Sequence, residues 1–225
     1  MSTVDPDKLL LIDKPYQWTS FDAIRFLKRN LPVKKIGHAG TLDPLATGLL
    51  LICTGKKTKQ IESFQQLEKE YEGEMIIGKT TPSIDLETSF DTETDYSTIT
   101  EEQIRIISNR FIGAIQQVPP DFSAARVNGV RSYKMARKGE VVLLQPRIVF
   151  IKELIWTKIN IPSLSFRVVC SKGTYIRSLV RDIGNELGVG AYMQSLRRTR
   201  IGEFSIDKAY TPHDYCKENI FYASL

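Results

Sequence analysis

Residues 49–53, Leu-Leu-Leu-Ile-Cys, form an uninterrupted apolar run that is stopped by Thr54-Gly55 and entered from the loop GHAGTLDPLATG, residues 37–48. An apolar run this short, bounded by turn residues, reads as a buried strand. Gly37 and Gly40 permit backbone angles closed to other residues, and Ala39, Ala46 and Gly48 keep the loop small enough to press against a ligand. Pro44 pushes Asp43 toward an extended conformation, which fixes the direction of its carboxylate. A rigid strand then presents one acid at its mouth, the support that a catalytic constellation requires. The same residues also describe an ordinary Asp-Pro turn, and the loop alone does not decide between the two.

Other segments are legible from their periodicity. Leu9–Asp13 (LLLID) is a short apolar strand followed by the turn residues Lys14-Pro15. Thr19 or Ser20 caps a helix whose apolar positions Phe21, Ile24 and Leu27 recur at helical spacing before Pro32. Tyr71, Gly73, Met75 and Ile77 alternate with acids, as in a strand with one polar face. Residues 80–99 are polar and acidic and read as a long loop. Thr100-Glu-Glu-Gln103 is a capping box that opens an amphipathic helix through Ile104, Ile107 and Phe111. Leu164, Phe166, Val168 and Cys170 alternate as another strand. A helix fits Ile176, Leu179, Val180, Ile183 and Leu187, with Gly188 just past its end. Strands and helices mix without a regular βαβ rhythm, so the fold class expected is α+β.

Charge distribution narrows the partner. The formal net charge is only +5, but Ser123–Arg200 holds fifteen Lys/Arg against four acids, whereas Met75–Glu102 sets Lys79 against seven acids. A one-sided basic half fits a phosphate-rich partner, and equally a solvated basic face. Cys53, Cys170 and Cys216 are widely spaced, and only His38 and His213 could join them, so paired zinc ligands are missing. No stretch approaches the roughly 18 apolar residues of a membrane span. The first residues lack the basic segment of a secretory signal. The expectation is a soluble cytoplasmic protein with no membrane association.

The loop string resembles, nearly letter for letter, the catalytic motif of the TruB family of pseudouridine synthases. Lys14-Pro15 after an apolar strand resembles that family's first motif, Lys69-Glu70-Tyr71 its tyrosine motif, CSKGTYIRSL (170–179) its arginine motif and SLRRTRIG (195–202) its last. These matches keep the family's order and span residues 9–202. The resemblance implies a pseudouridine synthase fold, with a central mixed, mainly antiparallel sheet flanked by helices and loops. It implies isomerisation of uridine-55 to pseudouridine in the T loop of tRNA, by flipping the base, breaking C1′–N1 and joining C1′ to C5. It further implies no metal and no organic cofactor. No motif calls for an obligate protein partner, so a monomer is the expectation, although the sequence does not give the oligomeric state.

By the same resemblance Asp43 is the essential carboxylate, as nucleophile at the sugar or as base, and the sequence does not choose between these. Arg177 is its cationic partner, and Tyr71 stacks on the target base and accepts or relays the C5 proton. His38 takes up stacking in the RNA when the base leaves. Tyr175 and Leu196 wall the pocket, and Lys14 and Pro15 buttress it. Residues of about 119–147 form a thumb-like basic insertion in which Arg126, Arg131 and Lys134 reach RNA, while Arg197, with Arg198 and Arg200, contacts phosphates. Two departures stand out. The family's usual Thr-x-Thr-x-Asp pattern makes Asp85 an RNA-contacting or loop-ordering residue, but here Ser83 stands in place of the second Thr. Only a short tail of about 203–225 follows the last motif, so the expectation is one catalytic domain over 1–225 without a complete RNA-binding PUA domain.

Two readings compete with a tRNA synthase. A tRNA-binding or folding protein would use the basic segment equally well, but has no use for an acid facing phosphates. A glycoside hydrolase needs two facing carboxylates, and no second acid occurs in the matched pocket motifs. Within the enzyme class, a synthase acting on rRNA or guided by RNA is the runner-up.

Overall fold

The structure is a computed structural model and describes residues 7–123, 125–127 and 129–220. In chain order it begins with β1 (Leu9–Lys14), α1 (Ser20–Asn30), β2 (Ile36–His38), β3 (Thr47–Thr54) and α2 (Ile61–Gln66). Next come β4 (Lys69–Ile77), β5 (Lys79–Thr80), β6 (Thr92–Glu93), α3 (Glu101–Asn109) and β7 (Gly113–Gln117). Then follow β8 (Arg126–Val127), β9 (Val130–Arg131), α4 (Ser132–Ala136), β10 (Arg147–Asn160), β11 (Ser163–Cys170) and α5 (Ile176–Glu186). The described chain ends with β12 (Ala191–Ile201), β13 (Phe204–Ser205) and α6 (Pro212–Ile220). No helix among the described residues is long and apolar enough to cross a membrane. The chain packs as two compact units, one comprising Met1–Tyr71 with Leu196–Leu225 and the other Glu72–Ser195.

The first unit is built on β3, whose residues Leu49–Cys53 are fully buried. β1 runs antiparallel along one edge of β3, pairing Leu9 with Cys53 and Lys14 with Gly48. On the other edge β12 pairs in parallel with the start of β3 and β2 pairs antiparallel with its end. Because side chains alternate across a strand, Leu50 and Ile52 enter one cluster with Leu10, Ile12, Ala23, Ile24, Leu27 and Cys216. Leu49 and Leu51 enter the opposite cluster with Ala39 and Ile201. The apolar run in the sequence therefore reports a strand covered on both faces. Burying each such Leu or Ile contributes roughly 1.5–3 kcal/mol.

α1 starts at a complete capping box, in which Thr19 Oγ1 accepts from Asp22 N and the Asp22 carboxylate accepts from Thr19 N. It buries Ser20, Ala23, Ile24 and Leu27. Phe21 was expected on the inner stripe but is 60% exposed, one position off that stripe, with the Arg25 guanidinium 5.0 Å from its ring. α6 packs on α1 and places Cys216 in the core.

The second unit carries the antiparallel pairs β7–β10 and β10–β11. α5 presents Ile176, Leu179, Val180 and Ile183 to the core, as its spacing predicts, and Gly188 follows its end at φ +77°. Strands β7, β10 and β12 are elements that periodicity did not reveal. With parallel and antiparallel pairs in a mainly antiparallel sheet and helices packed on it, the fold is α+β, as expected.

Candidate active site

In the first unit the loop between β2 and β3 is held at successive backbone atoms. Ser20 at the start of α1 grips Leu42 twice, its Oγ accepting from Leu42 N at 2.9 Å and donating to Leu42 O at 3.2 Å. Ala46 N donates to Asp43 O at 3.1 Å, closing the Asp-Pro turn, and Ala39 N donates to Leu51 O. Leu42 and Ala46 are buried and Asp43 between them is half-buried. The carboxylate thus sits on a peptide fixed on both sides.

Lys14 supplies the next restraint. Its side chain is 0% exposed. Its Nζ donates to Pro15 O at 2.9 Å, Trp18 O at 2.5 Å and Pro44 O at 3.3 Å, so all three ammonium donors meet carbonyls. Burial lowers its pKa to about 8, and the Arg198 charge adds to that, while the carboxylates of Asp43, Asp13 and Asp22 oppose it. Lys14 and Pro15 therefore brace the turn that carries Asp43.

The lowered value has a measurable consequence. The folded state releases the Lys14 proton near pH 8 and the unfolded state near 10.5, so the cost of burying this charge is fully present below pH 8 and absent above 10.5. Wild type is therefore expected to gain up to about 3 kcal/mol relative to Lys14→Met as pH rises from 8 to 10.5. Denaturant titrations of both proteins across that range check it, and a flat difference would show that Lys14 does not titrate there.

Around this loop stand further residues expected from sequence. Tyr71, in β4, is 8% exposed, and the Arg198 guanidinium carbon lies 6.0 Å from its ring centre. Lys69 turns its Nζ back to Gln65 O and Leu67 O, capping the end of α2, and Glu70 accepts from Thr199 Oγ1. His38 is half-buried in β2, and its buried Nδ1 meets no hydrogen-bond partner among the described residues. Burial lowers the His38 pKa, a backbone hydrogen bond to Gly40 opposes this and the Arg198 charge reinforces it, so the ring is neutral at pH 7. Leu196 is half-buried in β12.

The arginine run was expected to meet phosphates, and its observed partners differ. Arg198 is 1% exposed; its Nε donates to Leu49 O at 2.7 Å and its Nη2 to Gly40 O at 3.3 Å. Arg197 makes a bidentate pair with Asp13 at 3.1 and 2.7 Å and also reaches Thr47 Oγ1. Arg200 pairs with Glu68 and Glu70. These arginines are engaged by protein groups.

The remaining expected residues belong to the second unit. Arg177, in α5, is 3% exposed; Nη1 donates to Ser83 O and Nη2 to Phe122 O, each at 2.7 Å, and Asp85 lies 3.6 Å away. Asp85 is buried, and its carboxylate accepts from Glu87 N. Ser83, the departure from the family pattern, is fully buried and uses its hydroxyl on Asp85 O and Thr88. Tyr175 caps α5 with its ring 4.6 Å from the Arg147 guanidinium. Gln117, which sequence reasoning missed, is buried and grips Tyr175 from both sides, accepting from its N at 2.8 Å and donating to its O at 3.1 Å. A single Gln in an unrecognised strand carries no signal of such a role. Arg131 and Lys134 are exposed on β9 and α4, and the Arg126 side chain lies outside the described residues.

Comparison with known proteins adds the family. Residues 28–176 match the TruB family pseudouridylate synthase N-terminal domain and residues 177–224 match the tRNA pseudouridylate synthase B C-terminal domain. Proteins named tRNA pseudouridine synthase B from Parabacteroides distasonis and Flavobacterium johnsoniae are 48% and 51% identical, covering 95% and 90% of this chain and 94% and 91% of their own. Two solved structures share the fold. One is an H/ACA ribonucleoprotein bound to a substrate RNA containing 2′-deoxyuridine, at 28% identity and a TM-score of 0.72. The other is the archaeal box H/ACA Nop10–Cbf5 complex, at 27% and 0.71. They cover 96% and 98% of this chain, which spans about half the length of theirs, 54% and 56%. A braced Asp43 loop on a mixed α+β scaffold and a match through most of the sequence lead to one conclusion: this chain belongs to the TruB family of pseudouridylate synthases.

Proposed function

We propose that this protein is a tRNA pseudouridine synthase that converts uridine-55 in the T loop to pseudouridine, with Asp43 as the catalytic carboxylate. In this reading the uridine leaves its stack, because a base inside a folded loop cannot reach an enclosed acid. The C1′–N1 bond breaks, the uracil turns and C1′ bonds to C5, while C5 gives up a proton and N1 gains one. Asp43 acts at the sugar as nucleophile or base. Tyr71 lies against the flipped base and handles the C5 proton, Arg177 supports the anion, and Tyr175 and Leu196 bound the base. His38 stacks in the space the base vacates; a neutral ring suits stacking. Arg126, Arg131 and Lys134 contact the RNA backbone, and Asp85 orders the loop beside them. The protein works in the cytoplasm as a monomer, without metal or organic cofactor.

The observation that carries this reading is the brace on Asp43 by Lys14 and Ser20 in a chain of this family. Incubation with an unmodified tRNA T-arm stem–loop, followed by pseudouridine mapping, tests it. One modified uridine in the T loop is expected. Binding without modification would replace the enzyme by an RNA-binding protein, and modification of another RNA alone would replace the substrate.

A further inference from the structure

The sequence places Arg198 in a basic run, yet it is among the largest fully buried side chains of the protein. Burying a guanidinium is costly unless its donors are met and its place is used. Two hydrogen bonds from its guanidinium go to carbonyls of one segment, Gly40 O before Asp43 and Leu49 O after it. Those two carbonyls are the feet of the loop whose turn carries the carboxylate. Arg198's own backbone is locked against the same segment, since it pairs with Gly48 across the parallel β12–β3 contact. Gly48 has φ +104°, and a Cβ there would sit 2.3 Å from Arg198 O, so only glycine permits this approach. The guanidinium then faces the Tyr71 ring. Its charge also reaches both Lys14 and His38.

We propose that Arg198 is a positioning residue for the isomerisation, clasping both feet of the Asp43 loop and setting the Tyr71 ring against it. The inference rests on the reading of Asp43 and Tyr71 given above. Its action is on geometry: the planar fork reaches the two carbonyls from separate nitrogens, Nε and Nη2, an arrangement that the point-like ammonium of a lysine or a shorter amide does not reproduce. Freed at its feet, the loop keeps Asp43 but holds it less closely, and displacements of about 1 Å at a reacting group cost on the order of a hundredfold in rate.

The test is Arg198→Lys and Arg198→Gln, assayed on the T-arm stem–loop with kcat and KM separated and kcat normalised to the RNA-binding fraction. A loss of about a hundredfold in kcat with KM within about threefold is expected for both variants. Combining Arg198→Lys with Tyr71→Phe should give less than the product of the single losses, since both act on one arrangement. Unchanged kcat per binding-competent molecule in either variant, or full multiplicativity with Tyr71→Phe, would reduce Arg198 to a core residue. Failure of the underlying reading looks different: wild type then makes no pseudouridine, or Asp43→Asn makes it at the full rate.

Discussion

Asp43→Asn is expected to lower pseudouridine formation at least about a thousandfold while RNA binding persists. The substitution keeps the side chain's shape, and the bonds by which Ser20, Lys14 and Arg198 hold the loop meet backbone atoms of residues 40, 42, 44 and 49. The loop should therefore hold its conformation, and the loss should be chemical. Removing a negative charge near RNA phosphates should leave affinity unchanged or raise it, with the usual fall in salt. An internal control comes from Lys14, whose proton affinity the Asp43 carboxylate supports. Without that carboxylate the Lys14 pKa should drop further, and the alkaline gain in stability should begin below pH 8. Single-turnover assays, filter binding and denaturant titrations against pH read the three effects separately. Undiminished modification would assign the chemistry to another group. A lost alkaline shift with full activity loss would show instead that the loop had rearranged.

What the sequence made legible was set by whether burial left a periodic trace. β1, β3, β4, β11, α1, α3 and α5 each leave a legible apolar pattern because their buried side chains are mostly apolar and lie at the spacing of the covered face or faces. β10 does not, for two physical reasons. Register shifts between Ile151 and Glu153 and between Trp156 and Lys158 break its alternation. Ile148 and Phe150, apolar in sequence, face outward. β12 was hidden because a buried arginine, Arg198, interrupts the apolar core positions Ala191, Met193 and Ile201.

The candidate site shows the same limit. Arg197-Arg198-Thr199-Arg200 resembles a solvated basic run, and the inward turn of Arg198 rests on contacts with Gly40, Gly48 and Leu49 far off in sequence. Asp43 was found because glycines, proline and an apolar strand leave a local pattern. Arg198, Ser20 and Gln117 were missed because their work depends on residues 22 to 158 positions away. Local chemistry is written locally, and its supports are not.

Arg177→Met is the second large effect expected, about 3–5 kcal/mol of lost stability, because it leaves the buried Asp85 without the guanidinium 3.6 Å away. It also strips donors from Ser83 O and Phe122 O. Ser83 precedes Ile84, a β-branched residue at φ +64°, a left-handed conformation costing roughly 1–2 kcal/mol that the surrounding bonds must hold. Met193 N donates to Ile84 O and secures the other side of the turn. Asp85→Asn in the Arg177→Met background should recover part of the loss, with a coupling of about 1–3 kcal/mol in the cycle read by denaturant titration. Strict additivity would show that the carboxylate is not what Arg177 neutralises. The cycle also decides how activity data on this arginine are to be read. Asp85→Asn alone keeps the guanidinium on both carbonyls, so its activity reports the turn, and any larger loss in Arg177→Met reports the missing cation itself.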